Sequence, residues 1–218
     1  MATSKIVKCI LDDMQKTITE LYSENLVRDY RGVSESRIAK DSYEISYSGK
    51  NTSASIVYDK HVSGKDIMQA LLRELQYTVL LYDKSIVQAE YRIENEQIIK
   101  ARLVFMKMHN RIWEQDEIDE CEYLEQDWFA EEKGVPIMIR IDCDVEEHID
   151  GEHAVTHMTL SNHETCRIPM KEMPTFSEFI RFVLFHFYGK TLKLKQNRFD
   201  NSETITELEK SMMHMYWN

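Results

Sequence analysis

Residues 139–169 read IRIDCDVEEHIDGEHAVTHMTLSNHETCRIP, and the spacing of their side chains decides the fold class. Ile139, Ile141, Cys143 and Val145 alternate with Arg140, Asp142, Asp144 and Glu146, the period of a strand with one buried and one open face. Asp150-Gly151 is a hairpin turn signal. Beyond it Ala154, Thr156, Met158 and Leu160 alternate with Val155, His157, Thr159 and Ser161. A turn centred on Asp150-Gly151 pairs Ile141 with Leu160, Cys143 with Met158 and Val145 with Thr156 on one face. The same register sets Asp144 opposite His157, Asp142 opposite Thr159 and Arg140 opposite Ser161 on the other. A slip of one residue would exchange the faces. Cys166-Arg167-Ile168 continues the alternation, with Cys166 and Ile168 inward and Arg167 outward, and Pro169, which brings no N–H to a ladder, ends it.

Outward from this hairpin the elements follow from period and turn chemistry. After Pro174, Thr175-Phe176-Ser177-Glu178 is a capping-box pattern. The stripe Phe176, Phe179, Ile180, Val183, Leu184, Phe187 predicts a helix over 175–188 that covers the inner face of the hairpin, with Gly189 as its C-cap. Upstream, Ile86–Ile93 and Gln97–Met106 predict a second hairpin with a three-residue loop at Glu94-Asn95-Glu96. That register faces Val87, Ala89 and Tyr91 with Leu103, Ala101 and Ile99, and sets Glu90 against Lys100. Ser63 or Gly64 opens a helix to about residue 76 with Ile67, Leu71, Leu72 and Leu75 on one side, and the following Tyr77–Tyr82 reads equally as its last turns or a short strand. Tyr43–Tyr47 and Ala54–Tyr58 are expected as strands, and 29–42 as a loop. The stripe Ile6, Ile10, Met14, Ile18, Leu21 predicts a helix over 4–28 with Asp12 and Asp13 off the apolar side. Ser202–Trp217 is expected as a last short helix with Ile205, Leu208, Met212 and Met215 inward.

At 218 residues and 43 % hydrophobic, the chain can bury one sizeable core. The expectation is a single α+β domain over 1–218: a largely antiparallel sheet of about six strands with helices covering one face, plus an N-terminal helix and a C-terminal helical tail. Six glycines and three prolines argue against a low-complexity chain. A net charge of −11 disfavours coating of nucleic acid through a bulk field. Cys9, Cys121, Cys143 and Cys166 form no C-x2-C pair, which speaks against a zinc knuckle and fits a reducing cytoplasm. No apolar run is long enough for a membrane span.

The run His153-x3-His157-Met158-Thr159-Leu160-x5-Cys166-Arg167-Ile168-Pro169, followed by Phe179-Ile180 and Phe187-Tyr188, resembles the C-terminal signature of a bacterial family, domain of unknown function 2290. Asp83-x4-Gln88-x2-Tyr91 and Ala101-Arg102-Leu103-Val104-Phe105 are similar to its central part, so the resemblance spans roughly residues 65–190. The chain has Ala154 where that family usually has Pro, and Cys143 where it usually has an aromatic. The resemblance implies an outline of the fold and no assigned chemistry.

The outward face carries the candidate chemistry. Asp144 beside His157, with Asp142, is the carboxylate–imidazole pairing of general acid–base work. Arg140, Arg167 and, if the two hairpins share a sheet, Arg102 would hold a phosphate or carboxylate. His153 joins them as a candidate substrate contact. No metal or cofactor is expected: two His four apart on a strand would lie roughly 13 Å apart, a His/carboxylate site being open only if His153 curls back from the turn toward Asp142, Asp144 or His148, and no phosphate-binding glycine loop is present. A polar face on a sheet covered on one side accounts for the same residues without chemistry. Two functions stay open. The first choice, ahead of the second, is a non-enzymatic or accessory subunit of a bacterial multi-protein assembly, with defence against phage or mobile elements as its setting, contacting a protein partner through the acidic segment 114–132 and the terminal helices. The second is a small metal-independent nuclease or nucleotide-acting toxin using the Asp/His/Arg face, with His157 as acid or base.

Overall fold

The computed structural model describes residues 4–50, 63–108, 116, 119, 137–161, 166–192, 203–212, 214 and 215. Among them the strands are β1 (Val27–Tyr30), β2 (Val33–Ala39), β3 (Ser42–Tyr47), β4 (Val79–Leu81), β5 (Ile86–Glu94), β6 (Gln97–Lys107), β7 (Ile137–Asp144), β8 (Thr156–Leu160) and β9 (Ile168–Pro169). The helices of more than one turn are α1 (Lys5–Ser23), α2 (Gly64–Arg73), α3 (Phe176–Tyr188) and α4 (Glu207–Ser211). The strands form one nine-stranded sheet in the order β1-β4-β5-β6-β7-β8-β9, with β3 also paired to β5 and β2 to β3. Every strand pairing is antiparallel. The α+β class is as expected, with more strands than six.

Alternation along β5, β6 and β7 sends Ala89, Tyr91, Leu103, Phe105, Ile139 and Ile141 to one side, where α1 and α3 close over them in a single core. On the reverse side Ile86, Val104, Met106 and Met138 meet Ile67, Met68 and Leu71 of α2. Helices therefore cover one face fully and one end of the other, rather than one face alone. Among the described residues no helix covers the other end, and the polar side chains gather there.

α1 is fixed at two points by distant chain. Glu96, at the β5–β6 turn, accepts a hydrogen bond from the N–H of Ile6 at 3.1 Å, and that bonding together with Ser4 holds its carboxyl below the usual range, as expected of an anion at a helix N-terminus. Asp13, read from the sequence as outward, is 2 % exposed and accepts from the N–H of Ser177 at 3.0 Å. Burial pushes its pKa up while the Ser177 bonds at the start of α3 oppose the shift. α1 stops at Ser23 rather than 28 because Asn25 turns left-handed with φ of 55° and the Leu26 N–H returns to the carbonyl of Leu21. α2 stops at Arg73, before the left-handed Leu75. α3 keeps both halves of its capping box and ends on left-handed Gly189.

Several expectations change. The 29–42 loop is the end of β1 and all of β2; six of the seven β2 residues are exposed, so no apolar alternation marks it. Tyr77–Tyr82 contains β4. The strand expected at Ala54–Tyr58 and the acidic segment 114–132 lie outside the described residues, save Asp116 and Asp119. The second hairpin turns on two residues, Asn95 and Glu96, both at positive φ, with a bulge between Arg92 and Ile93. Its register moves by two, so Val87 meets Phe105, Ala89 meets Leu103 and Tyr91 meets Ala101. The faces survive, but Glu90 stands opposite Arg102 and Lys100 opposite Arg92. The last helix is only Glu207–Ser211; Leu208 and Met212 are exposed and Glu209 is the buried member. It still folds back, since the Lys171 N–H donates to the carbonyl of Met215 and that of Thr204 to Lys171.

Asp83, Lys107 and Tyr188 form a buried polar knot where β4–β5, β6 and α3 converge. Lys107 Nζ and the Tyr188 hydroxyl both donate to the Asp83 carboxylate, and the ammonium lies 4.7 Å from the Tyr188 ring centroid. All three are at most 3 % exposed, so removing one partner would strand a charge. No helix among the described residues is long and apolar enough to cross a membrane.

Two substitutions measure these layers. Phe179 is fully buried and Phe185 is 59 % exposed on the same helix; Phe179→Ala should cost about 3–5 kcal/mol in urea denaturation and Phe185→Ala less than about 0.5 kcal/mol. Equal losses would show that α3 does not bury the Phe179 side. Asp83→Ala should cost about 3–5 kcal/mol, and a loss near zero would mean that Lys107 escapes to solvent.

Candidate functional site

The uncovered end of the sheet holds a cavity of about 320 Å³. Its walls are the outward side chains of β3, β5, β6 and β7, the loop that joins β7 to β8, His157 on β8 and Arg167 just before β9. The residues singled out from the sequence, Arg102, Arg140, Asp142, Asp144, His153, His157 and Arg167, all line it.

Their partners differ from those expected. β7 and β8 pair Ile139 with Leu160, Arg140 with Thr159, Ile141 with Met158, Asp142 with His157 and Cys143 with Thr156. The turn at Asp150-Gly151 is present, closed by the His153 N–H to the Ile149 carbonyl at 2.7 Å. Between it and the ladder, however, Val145 to His148 stand against Ala154 alone, and this excess on the first arm moves the ladder by two. An even shift keeps each side chain on its face. Asp142, not Asp144, therefore faces His157, and Arg140 rather than Asp142 faces Thr159. Val145 and Leu160, expected in the core, are exposed.

Asp142 is the hub. Arg102 Nε donates to its Oδ1 at 2.7 Å and Arg140 Nε to its Oδ2, so the carboxylate, 7 % exposed, carries one guanidinium on each oxygen. His157 Nε2 lies 3.9 Å from Asp142 Oδ2, too far for a hydrogen bond. Its Nδ1 is 2.9 Å from the carbonyl of Ala154. A carbonyl only accepts, so Nδ1 holds the proton of the neutral ring and Nε2 presents a lone pair. Burial lowers the His157 pKa, opposed by Ala154 and Asp142 and reinforced by His153 and Arg167. The neutral, basic ring is thereby favoured.

His153 does not run on along the strand. β8 begins at Thr156, so the loop curls His153 back and its ring centroid comes 4.8 Å from that of His157, against the roughly 13 Å of a continuous strand. Burial and then Arg167 lower its pKa. Arg167 is exposed and makes no hydrogen bond or ion pair among the described residues. Asp144 pairs with Lys100 across β6 and β7; burial opposes, but the Lys100 bond and charge hold its carboxyl below the usual range. Cys143 turns inward, and burial raises its thiol to about 11.

Residues that the sequence did not single out complete the wall. Lys50 bridges Glu44 and Glu90, at 2.8 Å to each, and Arg92 and Lys100 stand opposite one another. The wall carries Lys50, Arg92, Lys100, Arg102, Arg140 and Arg167 against Glu44, Glu90, Asp142, Asp144 and Glu147. Six cations against five carboxylates give +1 with His neutral, in a chain of −11. Glu90–Arg102 and Arg92–Lys100 were hidden by the misjudged β5–β6 turn. The Asn95-Glu96 pair, short and polar between alternating arms, was the available signal.

The low histidine pKa values have a sign. His153 and His157 have lowered values in the folded chain against 6.5 for the unfolded one, so below 6.5 the unfolded state takes up more protons. Their stability contribution is present above 6.5 and is lost as pH falls toward the folded values. Asp144 acts in the same direction but only below 3.8. Thermal melts should therefore fall between about pH 7.5 and 5.5, and His157→Gln should flatten the slope. An unchanged slope would show that His157 does not resist protonation.

No curated protein and no solved structure matches the chain. The family model described as "Uncharacterized conserved protein (DUF2290)" matches residues 26–217, which takes in every residue of the cavity wall. The chain belongs to this family.

Proposed function

We propose that the cavity binds a phosphate-bearing ligand of nucleotide size and acts on its phosphoester bond by acid–base chemistry. The observation that carries this reading is the buried His157, locked by Ala154 in the tautomer that offers Nε2 to the cavity beside the Arg102–Asp142–Arg140 cluster. A water or ribose hydroxyl that enters next to Nε2 can pass its proton to the ring as its oxygen attacks phosphorus, the P–O bond to the leaving alcohol breaks, and that oxygen takes a proton from the imidazolium or from solvent. Arg167 and the guanidiniums oriented by Asp142 lie where negative charge would develop. A volume of about 320 Å³ is at the lower end for small-molecule sites and fits a mononucleotide or one end of a single strand. The −11 background favours such a ligand over a long duplex.

A second reading, an accessory subunit of a protein assembly, is supported by β2. This edge strand pairs only with β3 among the described residues, is exposed at six of seven positions and carries Ile38 outward, a surface suited to strand addition by a partner. The stripe of α1 does not support it, because α1 buries that stripe on its own core.

The test is a panel of mononucleotides, dinucleotides and short RNA, scored by thermal shift and by product formation. Arg167→Ala should weaken binding by about tenfold, whereas His157→Gln should keep binding and lower turnover by about a hundredfold or more. Turnover untouched by both variants, or no ligand that shifts the melt, would discard the phosphoester reading in favour of the accessory one.

A further inference from the structure

A second cluster lies just outside the cavity wall, where the β7–β8 loop meets α4. A ring nitrogen of His148 and a carboxylate oxygen each of Asp150 and Glu209 lie within 4.8 Å of one another. Glu209 is fully buried. Its Oε2 accepts from the N–H of Thr206 at 2.9 Å as part of the α4 capping box, but its Oε1 has no hydrogen-bond partner in the described structure. The same holds for His148 Nε2, 3.4 Å away. The two atoms lie at ion-pair distance when the ring is protonated, yet neither makes a hydrogen bond, and a cation between them would satisfy both at once.

Thr206 prepares the third group. Its hydroxyl donates to Asp150 Oδ1 at 2.5 Å while accepting from the Glu209 N–H at 3.2 Å, so one residue orients two carboxylates, as outer partners of metal ligands do. The loop tip is pressed against α4: a Cβ on Gly151, which has φ of 77°, would lie 2.8 Å from Leu208 Cδ2. Loop and helix are thus already in contact around the three oxygen and nitrogen atoms.

We propose that His148, Asp150 and Glu209 bind one divalent transition-metal ion, zinc in first place, and that the ion staples the β7–β8 loop to α4. One imidazole and two carboxylates suit zinc. Calcium and magnesium take oxygen ligands, and manganese binds such a set more weakly. Zinc ligands at about 2.0–2.2 Å from the metal sit roughly 3.3–3.5 Å apart in a tetrahedron, so the set closes mainly through the exposed Asp150, leaving a fourth position for water. The site does not depend on the phosphoester reading; its ligands lie outside the cavity wall, although Glu147 and His153 of the same loop line it.

The experiment uses the full chain stripped with a chelator and titrated calorimetrically with zinc chloride, then with manganese and magnesium chloride. One equivalent of zinc should bind and raise the melting temperature. His148→Gln, Asp150→Asn and Glu209→Gln should each weaken binding by roughly tenfold or more. Glu209→Gln keeps an acceptor for the capping box, and His148 and Asp150 are not buried, so these variants should fold. The exposed His186→Gln should leave the equivalent intact. No stoichiometric zinc, binding that survives both His148→Gln and Glu209→Gln, or equal loss in His186→Gln would overturn the proposal. Binding indifferent to Asp150→Asn would reduce the cluster to a His148–Glu209 ion pair and overturn it as well.

Discussion

The open face of the sheet is held together by one carboxylate. Asp142 takes a guanidinium on each oxygen, from Arg102 on the neighbouring strand and Arg140 on its own. Two arginines at this spacing would repel if nothing stood between them, and a buried carboxylate without them would be left an uncompensated charge. The three are mutually required, and together they bring charge beside the neutral His157. Lys100–Asp144 and Glu44–Lys50–Glu90 extend the same pattern outward. The result is a near-balanced polar lattice on the half of the sheet that α2 does not reach.

That division of the sheet explains what could be read in advance. Alternation in β5, β6, β7 and β8 assigns each residue to a face whatever the register, provided that any error is even, and both hairpin registers were off by two. Arg102, Arg140, Asp142, His157 and Arg167 were therefore found as one polar face, and Phe179 with Ile180 as its apolar counterpart. The partners were not legible. They depend on how much chain is stored near each turn, a bulge at Arg92–Ile93 in one case and the stretch Val145–His148 in the other, and neither has a side-chain period of its own.

Other misses share a cause. β2 lies at an edge with both sides near water, so its sequence shows no preference of face. Glu209 is polar at a position where an apolar stripe was sought, although Thr206-x-x-Glu209 is a visible capping box that fixes α4 and its inward residue. Asp13 is charged among aliphatic neighbours, and its place under α3 depends on a peptide N–H contributed by residue 177. Local pattern cannot report a partner so far along the chain.

The two tethers of α1 have a consequence for the making of the protein. α1 is translated before the sheet and α3, yet its start is fastened by Glu96 and its middle by Ser177, 90 and 164 residues later. For most of synthesis its greasy stripe, Val7 to Leu21, has no sheet or α3 to lie on. The nascent chain thus carries an adhesive helix until α3 has been translated, which makes α1 late to become secure although it is made before its partners, and a natural client for holding chaperones.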